Sequence, residues 1–467
     1  MRLAIALFAV AGIVALVVTQ RGGGHDPLPP AGSAAASDGD PFAYNPAAAD
    51  DYARRAANGE AHVLYSRSPG GIVATAERVA RLRPLIDDAT SGTDVDPTML
   101  EGIVFLESAG RPDALSSTDL HGAVGLTQIL AETATGLLGM HVDVAASTRL
   151  TRQIRLAASR GDSAAQARLE ARRRLVDERF DPRKALAGTV RYLTFAQSQL
   201  DRDDLAIVSY HMGVGNLQNA IRAYGGGAPS YTQLFFDSSP TSHAAAWRIL
   251  ASLGDESSLY YWKVLAARDV MAKLRSDQKG LRQLAALETE KGSSENVLHP
   301  PSAGEAFADA DALRAAYRDG QIERLPSNAG ALGLRVGAQM GTLAGRLGQP
   351  DDLYRGLRPG ALRLLIALAA GVRQIDGEDA PLTVTSTVRD GSYQRRLASD
   401  DVEAANAFSV HTTGWSFDIS RRYANDRQAE AFQFMLDRLQ ALNLITWVRE
   451  PEAIHVTVAG DVDSFLR

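Results

Sequence analysis

The chain has 467 residues, no cysteine and a formal net charge of −6. Its length predicts about two to four domains, because single hydrophobic cores usually stop growing at about 250–300 residues. The negative charge balance argues against a nucleic-acid partner, and the lack of cysteine excludes disulfides, a cysteine nucleophile and thiolate metal ligands.

The first residues are predicted to be an export signal. Residues 3–19 are apolar and uncharged, they follow Arg2, and a stretch rich in Gly, Pro, Ala and Ser comes after them. The apolar run is long for a cleavable signal peptide and just long enough to cross a membrane. We therefore favour an uncleaved anchor over 1–21 and a flexible tether over 22–60, with a cleaved signal as the alternative. Either places the bulk of the chain in the cell envelope or periplasm, and the anchor would hold it at the inner (cytoplasmic) membrane.

Helical periodicity dominates residues 61–275, so this part is predicted to be an all-α domain. Within it, 140–182 has the pattern of a charged, Ala-rich helical insertion. We interpret the basic run between Arg149 and Lys184 as a solvated helix face. The stretch GSSENVLHPPSAG marks a boundary, and a connecting region is expected over 276–345.

The pattern changes over residues 346–467. A helix is predicted for ALRLLIALAAGVRQI, and strands for LTVTSTVR, WSFDI and IHVTV. An amphipathic helix is predicted for AEAFQFMLDRLQALNLI (429–445). This mixture predicts an α+β domain. The expected fold class is thus a multidomain chain, with an all-α domain followed by an α+β domain.

Glu107 lies at the end of an apolar helical stripe. Asp96 and Pro97 are typical of a helix start. The apolar positions that precede Glu107 at helical spacing are Leu100, Ile103 and Val104. Burial at the edge of this stripe would favour the neutral acid and raise its pKa, which suits a general acid. The alternative is that Glu107 turns to solvent or pairs with a nearby arginine such as Arg111.

The segment ESAGRPDALSSTDLHGAVGLTQI, which begins at Glu107, resembles the signature of the SLT-type lytic transglycosylases, which have a goose-lysozyme-like fold. Three later segments resemble further motifs of that family in the same order: DPRKALAGTVRYL, LAIVSYHMGVGNL and ESSLYYWKVLAA. The resemblance implies a lysozyme-like domain in which Glu107 is the sole catalytic acid/base. It would cut between N-acetylmuramic acid and N-acetylglucosamine, with the muramoyl 6-hydroxyl as nucleophile, and leave a 1,6-anhydro end without any cofactor.

The same resemblance implies which residues bind the sugar: Ser108, Gln128, Tyr210 and Tyr260. The hydroxyl of Tyr210 is expected to contact the carboxyl of Glu107. His211 stands where the family has Asn, so the contact made there is open. Asp113 and Asp119 are expected to be turn residues rather than a second catalytic carboxylate.

Two histidines and an aspartate recur in the C-terminal part. His411 and Asp418 are separated by Gly414, and His455 follows on another predicted strand, with Glu452 three residues before it. Two imidazoles and one carboxylate form a plausible three-ligand metal site with an open position for water. By spacing alone, a histidine beside a glycine turn is more often a structural residue than a metal ligand.

The segments SVHTTGWSFDI, EPEAIH and STVRDGSYQ resemble motifs of the zinc D-Ala-D-Ala carboxypeptidase and dipeptidase family, over about 345–467. The resemblance implies zinc bound by His411, Asp418 and His455. It implies Glu452 as the general base and Arg389 as the group that stabilises the oxyanion. The family's Trp and Ala are replaced here by Ile454 and Ser416, so the peptide bond that is cut stays open.

The combined expectation is a bifunctional cell-wall hydrolase that cuts glycan strands with one domain and stem peptides with the other. Its partners would be peptidoglycan and, through residues 1–21, a membrane. One alternative is a peptidoglycan-binding scaffold with one or both domains inactive. Another is a muramidase that uses water in place of the 6-hydroxyl.

Overall fold

The computed structural model describes residues 42–253, 256–289, 293–400 and 408–466. The expected anchor over 1–21 lies outside these residues. Within them, no helix is both long enough and apolar enough to span a membrane. The described chain is mostly helical, with a small mixed sheet in the C-terminal part, so the coarse expectation of a helical part followed by an α+β part is confirmed.

The chain forms two compact units. The first comprises Glu60–Ser238 and Ala245–Ala286 of the described residues, and the second comprises 42–59, 239–244 and the remainder from Leu287. The helices in the N-terminal part of the chain are α1 (Ala49–Arg67), α2 (Ile72–Ala80), α3 (Arg83–Thr90), α4 (Pro97–Ser108), α5 (Ala131–Gly136), α6 (Val144–Ser159), α7 (Ser163–Val176), α8 (Pro182–Leu200), α9 (Asp203–Met212), α10 (Val214–Tyr224), α11 (Tyr231–Phe236), α12 (Ala244–Ser252), α13 (Tyr260–Ser276) and α14 (Gln278–Glu288).

Helix α4 is packed against α2, α3 and α13. It starts as predicted, with the Asp96 side chain accepting from the backbone N–H of Thr98 and Pro97 in the first turn. It ends at Ala109, whose left-handed backbone (φ 54°) stops the helix directly after Ser108. A Cβ at Gly102 would lie 2.8 Å from the carbonyl oxygen of Val264. Glycine therefore lets α4 and α13 approach closely.

The expected insertion is a helical hairpin made of α6 and α7, closed at its base by a hydrogen bond from Asp143 N to Val176 O (2.7 Å). We expected the basic run between Arg149 and Lys184 to be a solvated helix face. That expectation is wrong for two of its arginines, which are buried. Arg173 is buried and its guanidinium lies 3.7 Å from the ring centroid of Phe180. Arg179 is fully buried. Burial is tolerated because each cation has a specific partner.

The second unit carries the remaining elements. Its helices are α15 (Ser293–Leu298), α16 (Ala310–Arg318), α17 (Pro359–Asp376), α18 (Gly391–Asp400) and α19 (Asp426–Ala441). Its strands are β1 (Glu323–Arg324), β2 (Leu334–Val336), β3 (Gly356–Leu357), β4 (Leu382–Ser386), β5 (Ser416–Ser420), β6 (Ile445–Arg449) and β7 (Ala453–Val458). Strands β1 and β3 form a separate two-stranded sheet.

The main sheet has the strand order β2-β4-β5-β7-β6. Strands β2 and β4 are parallel, and the other neighbours are antiparallel. Asp418 on β5 is paired with His455 on β7, and residues paired in this way share a face of the sheet. The opposite face carries buried apolar side chains: Phe417, Ile419, Ile454 and Val456. The polar cluster therefore lies on one face, while the core lies on the other.

Two elements of this unit differ from the expectation. The helix expected over 429–445 ends at Ala441, and Asn443 has a left-handed backbone (φ 51°) that breaks the helical path. Ile445 then begins strand β6, which the sequence did not predict. The apolar periodicity of the helix runs into the apolar start of the strand, so hydrophobic pattern alone does not separate them.

Candidate active sites

Glu107 occupies the last turn of α4 and is held by a tyrosine from α13. The Tyr260 hydroxyl donates to Glu107 Oε1 at 2.7 Å. Burial raises the pKa of Glu107 to about 7, although the hydrogen bond from Tyr260 acts in the opposite direction. Arg111 donates instead to the carbonyl oxygen of Ser108. The geometry goes against a solvent-facing Glu107 or one paired with Arg111.

The expected contact between Tyr210 and Glu107 is corrected by the structure. The Tyr210 hydroxyl donates to the carbonyl oxygen of Thr127 at 2.7 Å, and Tyr260 takes the position next to the carboxyl. The two tyrosine rings stack with centroids 6.4 Å apart. Burial and the charge of Glu107 both raise the pKa of Tyr210. Tyr210 thus lies near Glu107, but its hydroxyl binds the loop that contains Thr127.

Gln128 and Gly125 shape that loop, which follows Glu107 in the sequence. Gln128 has a left-handed backbone (φ 52°), and its Nε2 donates to Gly125 O at 2.8 Å and Ala114 O at 3.3 Å. Gly125 also has a positive φ (81°), and a Cβ there would lie 2.0 Å from Arg179 O. Only glycine fits here, because the backbone of Arg179 approaches so closely. The two hydrogen bonds from the amide nitrogen of Gln128 hold the loop in this conformation.

Ser108 was expected to bind the sugar, but its hydroxyl is used within the chain. It is buried and donates to Val104 O at 3.2 Å, while it accepts from Arg111 N at 3.2 Å. These two bonds satisfy backbone groups at the end of α4, where helical partners run out. Ser108 thus holds the turn that presents Glu107.

Arg179 is a structural residue of this site that the sequence did not reveal. It forms a fully buried ion pair with Asp177 (2.9 Å). Its guanidinium also donates to three carbonyl oxygens of the loop, those of Leu120, Gly122 and Ile129. In the sequence this arginine is one of many in a basic run, so only its position in the fold distinguishes it.

The surroundings of the acid are otherwise aromatic. The His211 ring stacks on Tyr260 with centroids 5.1 Å apart, and its Nδ1 lies 2.7 Å from Ser257 Oγ. Asp119 accepts from the backbone N–H of His121, so it is a turn residue as expected. Among the described residues, no second carboxylate contributes to the pKa shift of Glu107.

The second unit brings His411, Asp418 and His455 together. His411 lies on the 3₁₀ turn Val410–Thr413, while the other two lie on β5 and β7. Asp418 Oδ1 is 3.1 Å from His411 Nε2 and 2.8 Å from His455 Nδ1. One donor atom from each residue lies within 4.8 Å of the others, and all three side chains are buried. This group can hold a metal ion.

Surrounding groups orient both imidazoles. His411 Nδ1 lies 2.8 Å from the carbonyl oxygen of Thr387, which leaves Nε2 for the cluster. His455 Nε2 lies 3.3 Å from Glu295 Oε1 and 3.2 Å from Thr457 Oγ1, which leaves Nδ1. Hydrogen bonds of this kind hold an imidazole in the orientation that a bound metal requires. Glu295 comes from α15, in the region that the sequence presented only as a connector.

The electrostatics of the cluster favour the metal-binding protonation states of His411 and Asp418, while they favour the protonated form of His455. Burial and the charge of Arg389 lower the pKa of His411 to about 4. Burial alone would raise the pKa of Asp418, but the two imidazoles hold it well below its ordinary value. Burial would lower the pKa of His455, and the charge of Asp418 outweighs that effect. At neutral pH the cluster offers an unprotonated His411 and a carboxylate, the forms that bind metals.

Arg389 lies beside the cluster, as expected. Its Nη2 is 3.3 Å from Asp418 Oδ2 and 2.8 Å from Ser386 Oγ. Its Nη1 donates to Gln394 Oε1 at 3.1 Å. These contacts hold a fixed guanidinium next to the three candidate ligands.

The structure places Glu452 away from the cluster. Its side chain is 80% exposed and lies 3.3 Å from the guanidinium of Arg422, itself 87% exposed. The reason is the β6–β7 hairpin. Glu450 N donates to Ala453 O, so Pro451 and Glu452 form its two-residue turn and extend into solvent.

Glu450 is the carboxylate on the cluster's side. Val448 is paired with His455, and Glu450 shares the face of Val448 because side chains alternate along a strand. Although Glu450 is exposed, partial burial raises its pKa, the charge of Asp418 raises it further, and His455 lowers it. Because side chains alternate along a strand, counting back from His455 across a two-residue turn identifies Glu450 from the sequence.

Comparison of the chain with protein-family models gives no match, and comparison with curated proteins gives none either. The arrangement of residues at the two sites is therefore the basis for assigning a function.

Proposed function

We propose that the protein is an exported, bifunctional peptidoglycan-cleaving enzyme, held at the inner membrane by residues 1–21. The first unit cuts the glycan strand without water, and the second cuts stem peptides with a zinc ion. The observation that carries the proposal is Glu107. It is a half-buried carboxyl with a pKa of about 7, held by Tyr260 at 2.7 Å.

In the glycan reaction, protonated Glu107 transfers its proton to the oxygen between N-acetylmuramic acid and N-acetylglucosamine. The bond between that oxygen and the muramoyl C1 breaks. The resulting carboxylate is stabilised by the Tyr260 hydroxyl and takes the proton of the muramoyl 6-hydroxyl. The 6-oxygen then bonds to C1, which regenerates the acid and leaves a 1,6-anhydro end. One carboxyl suffices because the nucleophile belongs to the substrate, whereas most glycosidases need two.

In the peptide reaction, two imidazoles and one carboxylate fit the ligand set of catalytic zinc. A zinc ion bound there would supply a Lewis acid and a water of lowered pKa. Arg389 is fixed by Ser386 and Gln394, so it can stabilise negative charge that develops on a carbonyl oxygen. Glu450, rather than the expected Glu452, would accept and return the proton, because it shares the cluster's face of the sheet.

The decisive experiment is digestion of purified sacculi with wild-type protein, Glu107→Gln and His411→Ala, followed by mass spectrometry of the products. Wild-type protein should release anhydro-muropeptides and cut stem peptides. Glu107→Gln should lose the anhydro products and keep peptide cleavage. His411→Ala, or a chelator, should do the reverse.

The same spectra test the two alternatives. A muramidase would give products heavier by one water, because water would attack in place of the 6-hydroxyl. A peptidoglycan-binding scaffold would sediment with sacculi and release nothing. Unchanged peptide cleavage after chelation, with no zinc found by metal analysis, would contradict the proposal for the second unit.

A further inference from the structure

A cavity of about 530 Å³ opens at the edge of the main sheet in the second unit. Strand β2 forms that edge, and Leu334, Arg335 and Val336 all line the cavity. His411, Asp418 and His455 are not among the lining residues. The volume lies within the range of roughly 300–1,000 Å³ that is usual for ligand sites.

The cavity carries an excess of positive charge. Three guanidinium groups and one carboxylate line it: Arg324, Arg335, Arg355 and Asp352. Arg324 pairs with Asp352 at 3.4 Å, and Arg355 lies 3.8 Å from Asp351. Arg335 is exposed and bonds only to the Thr383 hydroxyl, with no ion pair to a carboxylate of the described residues. Its charge is therefore available to a ligand.

The backbone of β2 is also available on its outer side. Leu382 N donates to Gly333 O, and Gly337 N donates to Val384 O. Residues at odd positions therefore direct their backbone groups towards β4. Leu334 and Val336 direct their N–H and C=O groups outward, into the lined cavity. An edge of this kind can pair with an extended peptide.

Arg335 lies on the face of the sheet that carries the metal cluster. It is paired with Thr383, while Ser386 of the same strand is paired with Asp418. A bulge between Val384 and Ser386 puts Thr383 and Ser386 on the same face. From strand spacing and rise per residue, Arg335 and Asp418 are roughly 14 Å apart, a distance that about four extended residues span.

We propose that this cavity binds an extended peptide through a carboxylate on its side chain or terminus. Arg335 would pair with the carboxylate, and the outer edge of β2 would pair with the peptide backbone. A guanidinium recognises a carboxylate with two parallel hydrogen bonds. The assignment of this peptide as a substrate rests on the proposed peptidase function. It would make the second unit selective for acidic stem peptides.

The test uses the full chain with chelator present, so that cleavage does not consume the probe. The probes are fluorescein-labelled Ala-Glu-Ala-Ala-Ala amide and its Gln and Lys analogues, followed by fluorescence anisotropy. Wild-type protein should bind the Glu peptide about two- to fivefold more tightly than the Gln peptide, the effect of one exposed ion pair. Arg335→Gln should remove this preference, and Arg335→Glu should shift it to the Lys peptide. Arg363→Gln, which breaks an exposed ion pair on α17, should change nothing.

The inference is overturned if wild-type protein shows no preference, or if Arg335→Gln keeps it. Its failure is distinguishable from failure of the proposed activity because binding and cleavage are measured separately. A protein with the preference that cuts no stem peptide would keep this site and lose the peptidase assignment. A protein that cuts stem peptides without the preference would keep the peptidase assignment and lose this site.

Discussion

The two candidate sites each contain a carboxyl that is shielded from water, half-buried in Glu107 and buried in Asp418, and the structure shifts their pKa values in opposite directions. Glu107 lies among aromatic rings with a neutral hydroxyl donor, so burial dominates and raises its pKa to about 7. Asp418 is more deeply buried but lies between two imidazoles and beside Arg389, and its pKa falls well below the ordinary value. Burial favours the neutral acid only where no cation opposes it. The first site is thus built to hold a proton, and the second to hold a positive ion.

The largest effect on activity is expected from a substitution at the second site. Glu450→Gln should reduce peptide cleavage by about 10²–10⁴-fold, the usual contribution of a general base. Glu452→Gln is the matched control and should stay within about twofold, because surface ion pairs contribute little. Steady-state cleavage of a stem peptide measures both, with metal content checked to be equal. The reverse ranking would contradict the placement of the β6–β7 turn.

The loop that faces Glu107 depends on a buried ion pair. Arg179→Met should lower the free energy of unfolding by about 3–5 kcal/mol, because it leaves Asp177 charged, buried and unpaired. Arg183→Gln is the control, since Arg183 and its partner Asp88 are both about two-thirds exposed. That variant should change stability by less than about 0.5 kcal/mol. Denaturant unfolding followed by circular dichroism gives both values, and equal losses would refute the role given to Arg179.

Glu295 tests whether the second site extends into the expected connecting region. Glu295→Ala should weaken zinc binding by about 10–100-fold, the usual effect of losing a partner that orients a ligand. Glu295→Gln keeps an acceptor for His455 Nε2 and should recover part of the affinity. Glu323→Ala changes an exposed residue of β1 and should leave it unchanged. Competition with a chromophoric chelator measures the affinity, and an unaltered Glu295→Ala would exclude this role.

Substitution of Tyr260 tests what sets the pKa of Glu107 in the first site. Its hydrogen bond lowers the pKa of Glu107, so Tyr260→Phe should raise that pKa further above 7. Glycan cleavage needs the protonated acid, so its alkaline limb should move up by up to about one pH unit while the maximal rate falls. Tyr317→Phe removes a hydroxyl in the other unit and should leave the profile unchanged. A limb that moves to lower pH would contradict the sign of the effect.

The sequence predicted those features that depend on local pattern. Asp96 and Pro97 identified the start of α4, and helical spacing placed Glu107 at the end of its apolar stripe. The turn at Gly414 and the alternation of β5 and β7 indicated that His411, Asp418 and His455 could converge. These features depend on neighbours within a few residues, which a single sequence displays.

Contacts between distant segments were not predictable in this way. Tyr260 contacts Glu107 across 153 residues, and the close approach that permits it depends on Gly102. Arg179 contacts a loop that lies 50 to 57 residues earlier in the chain. Glu295 contacts His455 of the candidate metal site from a separate helix. The choice between Glu450 and Glu452 was local, but it depended on the exact turn of a hairpin whose first strand the sequence did not predict.

The most direct test of the central claim is the titration of Glu107 itself. Carbon-13 NMR of the protein labelled at glutamate carboxyl carbons, with Glu107→Gln used to assign the resonance, gives its pKa. We predict a value of about 7, so that about half of the molecules carry the proton at neutral pH. A value near the ordinary 4.5 would leave the group ionised and contradict its role as the acid.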